Sequence, residues 1–507
     1  MPTEERFTRR EILQGGLSLP LAGGLFPLAA PRRRKGDDPR QDGEVRNVIF
    51  MVSDGMSAGV PELAESFSQL VRGRSTNWHA LAKDPPTVRG YLQTGSLSSM
   101  VTDSSAASSA WASGSRIFNG ALNVLPDGTR LLPIGRLARG EGWAVGMVTT
   151  TTITHATPAG FVAVQASRSD EADIARQYLD IVDVALGGGG QFFSPTQRKD
   201  GLDLYGQYRA RGYAICTTRR ELMEAGGNGK LLGCFSGGHM PYVIDEMYQT
   251  EEAQRVPTLA EMTRTALQRL VPAGGGFLLQ IEGGRIDHAA HANDAATMLW
   301  EQIAFDDAIG EVLAFVREHP DTLLVITTDH GNSNPGLNGM GSGYRESTAC
   351  FERLAGTKAS FTTIYGALRE AASGSAPSVD AVIDIMRRYT NITIEAGEAE
   401  AIARVMAGGR LDDLNRQHRS IVGALGQTIG NHTGIGWTGT THTSDLALTL
   451  ALGPGRRHFA TLMHHTDVYG ILTSLMGIDH ANPSMTHEAA KRYATRRQSP
   501  AIETHWV

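Results

Sequence analysis

Cysteine is scarce in this chain. Only Cys216, Cys234 and Cys350 occur in 507 residues, and none belongs to a CxxC pair. Three thiols cannot all pair with one another, so neither the fold nor a metal site is expected to depend on them. There is no uncharged run apolar enough to span a membrane. The net charge of −6 carries no basic signature for nucleic acid. Internal repeats and low-complexity segments are also lacking. What remains is an ordinary globular composition, 41% hydrophobic and 20% charged, with 59 glycines. Length alone permits a large core and more than one domain.

The N-terminus reads as a segment outside the fold. Thr8-Arg9-Arg10-Glu11-Ile12-Leu13-Gln14 is a twin-arginine pattern, followed by an uncharged stretch from Ile12 to Pro31 that glycines and prolines interrupt. Such a stretch is too weakly hydrophobic for a stable span and suits an export signal over residues 1–30, directing the chain to the periplasm or the exterior. Cleavage is expected near Ala29 or Ala30, although Leu28 departs from the A-x-A form. Residues 31–44 are then a charged, disordered lead-in.

From residue 45 onward, strand-like and helix-like patterns alternate. Val48–Ser53, Ala144–Thr149, Val182–Leu186, Tyr213–Cys216, Leu231–Phe235, Phe277–Ile281, Leu323–Thr327 and Leu446–Leu452 are near-continuous apolar runs, as expected of strands buried on both faces. Helical patterns cover Ser105–Ser113, Asp170–Leu179, Thr258–Leu270, Asp294–Arg317 and Asp467–Met476. The alternation predicts an α/β fold: a doubly wound, mostly parallel central sheet with helices on both faces. Between His330 and His442 the pattern breaks into Gly/Ser/Asn-rich stretches and two helical patterns, Val379–Arg388 and Ala399–Ala407. We read about residues 336–435 as an inserted subdomain that returns the chain at His442.

The chemistry-bearing residues cluster at the ends of these runs. The densest stretch is Glu282-Gly283-Gly284-Arg285-Ile286-Asp287-His288-Ala289-Ala290-His291. Asp287 and His291 are four apart and share a helix face, the spacing with which two side chains converge on one zinc ion. Asp54, Asp103-Ser104, His155 to Thr157, Asp329-His330 and His442 add further oxygen and nitrogen donors. Most of them border a strand-like run, so their side chains point into one crevice of an open parallel sheet. Ser104 stands just ahead of an Ala/Ser-rich helix, whose N-terminus attracts anions. Nothing like G-x-S-x-G surrounds it. The bland reading is that Asp103 and Ser104 only cap that helix; the chemical one makes Ser104 a nucleophile activated by a metal, with Ser105 as the fallback.

Taken together, these motifs resemble the alkaline phosphatase family. The match is carried by Asp54-Gly55-Met56, Thr102-Asp103-Ser104, His155-Ala156-Thr157-Pro158-Ala159, Ser167-Arg168, the Gly187–Gly190 run, Glu282 through His291, Thr328-Asp329-His330 and His442-Thr443. The resemblance implies one zinc on Asp287, His291 and His442. It implies a second on Asp54, Asp329 and His330 with Ser104 as reactive ligand, and a third metal, usually magnesium with another divalent ion as the alternative, on Asp54, Thr157 and Glu282. Arg168 would clamp phosphate. The ligand types agree, imidazole with carboxylate suiting zinc and an all-oxygen set suiting magnesium. Two positions vary in the family: the places of His155 and His288 hold aspartate and lysine in its best-known bacterial members, and the histidines here are closer to the animal members. Both are expected to flank the third site. The implied activity is hydrolysis of small phosphate monoesters through a phosphoserine. The alternatives are a phosphodiesterase of the same superfamily, or an exported phosphate-binding protein with a dead site. A sulfatase is disfavoured because no C-x-P-x-R motif is present. His239, His432 and His464 read as structural or peripheral. The oligomeric state stays open, a homodimer being one option.

Overall fold

The computed structural model describes residues 43–248, 256–372, 374, 376–411 and 416–494. The twin-arginine segment and residues 31–42 of the lead-in lie outside these. The apolar runs form the centre of a ten-stranded sheet. In chain order its strands are β1 (Asn47–Ser53), β2 (Val88–Gln93), β3 (Ala144–Thr152), β4 (Val184–Gly188), β5 (Ala214–Cys216), β6 (Leu231–Cys234), β7 (Phe277–Gly283), β8 (Thr322–Thr327), β9 (Ala447–Leu452) and β10 (Leu462–His464). Across the sheet they lie in the order β10-β2-β9-β8-β1-β7-β3-β4-β6-β5. Only β9 runs against the others; it pairs antiparallel with both β2 and β8.

The fold class is therefore α/β with a mixed, mostly parallel sheet, and all eight sequence-derived strands are present. The central strands β8, β1, β7 and β3 are buried along their whole length, because helices cover both faces. One apolar layer packs the helix Ala295–Glu318 and the helix Leu259–Leu270 on one side; another packs the helix Ser104–Ser113 and the helix His465–Leu475 on the other. Two strands were not expected. The alternating burial of β2 marks a strand open on one face, and β10 has three residues.

The register brings the strand ends level. Thr327 of β8 pairs with Val52 of β1, Val52 with Glu282 of β7, and Glu282 with Thr149 of β3. The segments that leave the C-terminal ends of these strands therefore open into one crevice.

After β8 the chain leaves through two short pairings. Gly331–Asn332 lies antiparallel to His442–Thr443, and Gly336–Leu337 to Ile435–Gly436. Between them stand helices that include Phe361–Glu370, Val379–Thr390, Ala396–Met406 and Ile421–Thr433. They gather an apolar cluster of their own around Ile364, Leu368, Val382, Met386, Ile402 and Leu425. The described residues all belong to one compact unit. None of its helices is long and apolar enough to cross a membrane. Cys216, Cys234 and Cys350 are buried and free.

Candidate metal centre

Asp54 follows β1 directly and is fully buried. The next residue turns the chain with φ +68°, and a Cβ there would stand 2.4 Å from Asp287 Oδ1. Only glycine combines that left-handed conformation with so close an approach, so Gly55 lets the Asp287 carboxylate reach the end of β1. Asp329 lies just beyond β8. Its Oδ1 accepts the main-chain N–H groups of Gly55 (3.1 Å) and His330 (3.0 Å), while Oδ2 lies 3.1 Å from His330 Nε2. Glu282 lies at the end of β7, and its Oε2 accepts the hydroxyls of Thr149 and Thr151 from β3.

Asp287 and His291 stand on one face of the helix Arg285–His291, with Asp287 Oδ2 3.4 Å from His291 Nε2. Asn332 donates to Asp287 Oδ1 at 2.7 Å. His442 arrives from the returning chain, its Nε2 3.6 Å from Asp287 Oδ1. Three groups of side chains result, with one ligand atom from each member lying within 4.8 Å of the others: Asp287, His291 and His442; Asp54, Asp329 and His330; Asp54, His155 and Glu282. Asp54 belongs to two of them. Thr157, in the short helix Ala156–Gly160, donates its hydroxyl to Asp54 Oδ2 at 3.3 Å.

These residues fit divalent cations on three counts. His291 Nδ1 lies 2.7 Å from the Thr440 carbonyl and His442 Nδ1 lies 2.9 Å from the Thr102 carbonyl. A carbonyl only accepts, so each Nδ1 carries a proton and each Nε2 a lone pair. The two Nε2 atoms face each other at 3.0 Å, close to the edge of about 3.3 Å between two nitrogens on one tetrahedral zinc. Second, no donor among the described residues reaches the buried Asp54 Oδ1 or Glu282 Oε1. Third, four buried carboxylates share the crevice. Burial raises the Asp54 carboxyl well above its ordinary range, and Asp329, Asp287 and Glu282 push it further. Burial also raises Glu282. Burial opposes ionisation of Asp329 too, but the His330 imidazole beside it brings that carboxyl below the usual range. Burial, then His330, lowers His442 to about 3. Such a set of charges is costly unless cations compensate it.

Ser104 is the first residue of the helix Ser104–Ser113, and its Oγ lies 3.2 Å from His330 Nε2. Asp103 caps the helix through the Ala106 N–H at 2.9 Å, so the capping role is real. The same carboxylate also takes the Ser105 hydroxyl at 2.7 Å and the Gly120 N–H at 2.8 Å. Ser105 is thereby engaged away from His330, and the geometry favours Ser104. Arg168 is shared between Asp103 Oδ2 at 3.3 Å and His155 Nε2 at 3.0 Å.

All the residues singled out from the sequence converge here, Ser104, Arg168, Asp54, Thr157, Glu282, Asp287, His291, Asp329, His330 and His442, with His155 and His288 beside them. One neighbour was missed. His239, expected to be peripheral, packs its ring 4.6 Å from His288 and 5.5 Å from His155. It follows Gly237-Gly238 beyond β6, and only that glycine pair after a strand hinted at a crevice position. His464 and His432 are structural, as expected: the first caps the helix His465–Leu475 and the second pairs with Glu398 at 2.9 Å.

Comparison with known proteins agrees with this geometry. A family model described as alkaline phosphatase matches residues 45–478. The crystal structure of the Thermus thermophilus alkaline phosphatase is 36% identical and superposes with a TM-score of 0.83, covering 92% of this chain and 99% of that one. Alkaline phosphatase 4 of Bacillus subtilis is 29% identical over 90% of this chain and 94% of its own length. Streptomycin-6-phosphate phosphatase of Streptomyces griseus is 31% identical over 61% and 78%. With the family model matched over most of its length and its fold in common with a solved alkaline phosphatase, the chain belongs to the alkaline phosphatase family, a family of phosphoric monoester hydrolases.

Proposed function

We propose that this protein hydrolyses small phosphate monoesters through a covalent phosphoserine on Ser104, at a centre for two zinc ions and one magnesium. Asp287, His291 and His442 would hold one zinc, and Asp54, Asp329 and His330 the other. Asp54, Thr157 and Glu282 would hold the harder ion, with His155 grouped beside Asp54 and Glu282. Ions bound there would supply Lewis acidity, lowering the pKa of coordinated hydroxyls and balancing charge on the entering and leaving oxygens.

The chain's own groups do the rest. Ser104 Oγ gives up its proton to water and attacks phosphorus; an O–P bond forms and the ester P–O bond breaks, with the leaving oxygen taking a proton back from water. Water then attacks the phosphoserine, the Ser104 O–P bond breaks, and serine and inorganic phosphate are restored. The amide groups at the start of the helix Ser104–Ser113 present positive dipole ends to the phosphoryl oxygens. Arg168, which contacts Asp103 and His155, would donate two parallel hydrogen bonds to phosphate. A diester lacks one of the free oxygens such a fork grips, which favours a monoester. The Arg9-Arg10 pattern supports export of the folded, metal-loaded protein.

The observation that carries this reading is the 3.2 Å approach of Ser104 Oγ to His330 Nε2 beside the Asp54 and Asp329 carboxylates. The test is hydrolysis of a nitrophenyl phosphate, before and after chelation and after return of zinc and magnesium. Activity that chelation abolishes and the metals restore supports it. Preference for the nitrophenyl phosphodiester favours the diesterase, and no turnover of either with phosphate still bound favours the dead site.

A further inference from the structure

The helix Arg285–His291 carries two ligand candidates on one face, and between them His288 is buried beside the same crevice. A third imidazole there could act as a metal ligand or as a hydrogen-bond donor, and the two roles need different tautomers. An imidazole ligates only through a nitrogen that bears no proton.

One neighbour decides between them. Arg285 Nη1 lies 2.6 Å from His288 Nδ1. A guanidinium is always protonated and only donates, so Nδ1 is the acceptor and its lone pair is taken. In the neutral ring the proton then sits on Nε2. Arg285 itself is pinned. Its main-chain N–H donates to Thr150 Oγ1 at 3.1 Å, and its guanidinium lies 3.7 Å from the centre of the Tyr242 ring. Tyr242 is fixed in turn, because the next residue, Val243, donates its N–H to the buried Glu301 at 2.7 Å and Met240 donates to the Thr150 carbonyl. His155 differs. Its Nε2 accepts from Arg168, the residue we assign to phosphate, so that partner changes during turnover while the partner of His288 does not.

We propose that Arg285 is a positioning residue that locks His288 in the Nε2–H tautomer, making it a permanent hydrogen-bond donor and barring it from the metal ligands. In that tautomer Nε2 carries a proton and no lone pair, so it can donate a hydrogen bond but cannot bind a cation. The tautomer follows from the Arg285 contact alone; only its consequence for the centre rests on the function proposed above.

The experiment uses the metal-loaded protein with 15N-labelled histidine, and His288→Gln to assign the His288 signals. Long-range 15N–1H correlation should show a protonated Nε2 and an unprotonated Nδ1. With cobalt in place of the native metals, His288 should lack the large paramagnetic shifts of a direct ligand. In Arg285→Met the Nδ1 and Nε2 shifts should move toward averaged values as both tautomers appear, and Arg285→Lys, which can still donate, should return the Nε2–H pattern. A protonated Nδ1 in the wild type, ligand-type shifts with cobalt, or an unchanged pattern in Arg285→Met would each overturn the proposal. A protein that shows the expected tautomer yet hydrolyses no monoester would refute the functional reading alone.

Discussion

His291 and His442 point their Nε2 atoms at each other across 3.0 Å, each with its Nδ1 against a main-chain carbonyl. Two lone pairs in that position repel unless a cation lies between them. Chelation should therefore lower the thermal midpoint as well as activity, and zinc should restore both. Above saturation each tenfold rise in free zinc should add about 1.4 kcal/mol to stability for every zinc ion bound. A midpoint that ignores both chelator and zinc, measured by calorimetry, would contradict a metal between these rings.

In the proposed mechanism Arg168 would grip ground state and transition state alike, which is uniform binding. Arg168→Ala should raise KM and weaken inhibition by phosphate roughly 10- to 100-fold, the worth of a charge-assisted pair of hydrogen bonds. The loss in kcat should be smaller. Unchanged phosphate inhibition in steady-state assays would remove Arg168 from the site.

His155 groups with Asp54 and Glu282 and also accepts from Arg168. His155→Asp would make the third site more negative, so half-saturation should move to lower magnesium concentration, by roughly tenfold. The new carboxylate would also hold Arg168 more tightly, and phosphate inhibition should weaken. Superimposable magnesium titrations at fixed zinc would show that His155 does not shape that site.

Glu301 accepts the Val243 N–H beside Tyr242, and burial raises its carboxyl to about 7, with the Val243 N–H and Arg285 pulling the other way. Its folded pKa thus exceeds the unfolded value, and the folded state binds more protons between them. The stability associated with Glu301 is present below about 4.5 and is lost as pH rises through about 7. Glu301→Gln keeps an acceptor for Val243 and has no charge to bury. Denaturant unfolding of the metal-loaded protein should show that the variant gains on the wild type across this window. A constant difference between the two would mean that Glu301 does not titrate there.

The central strands were legible in the sequence because both faces are covered, so nearly every residue is apolar. β2, Val88-Arg89-Gly90-Tyr91-Leu92-Gln93, was illegible because one face is open and the run mixes charge and glycine. The helix Ile421–Thr433 was hidden by Gly423, Gly426 and Gly430, which lower helix propensity. Packing explains them: a Cβ at Gly426 would lie 2.4 Å from Asn293 Cβ, and Asn293 in turn holds the Gly439 carbonyl near His442. The candidate metal ligands were legible because their types, spacings and positions after strands agree. Arg285, Tyr242 and His239 were not, since their roles arise only when β3, β6 and the helix Arg285–His291 meet.

Ser104 is the residue on which the proposed chemistry turns. During turnover of a nitrophenyl phosphate near the acid limit of activity, rapid acid quench and peptide mass spectrometry should find one phosphate on the peptide that begins the helix Ser104–Ser113, localised to Ser104. Ser104→Ala should lose that adduct, with kcat falling on the order of a thousand-fold or more, while Ser105→Ala keeps it. Phosphate on Ser105, or full activity in Ser104→Ala, would contradict a phosphoserine at Ser104.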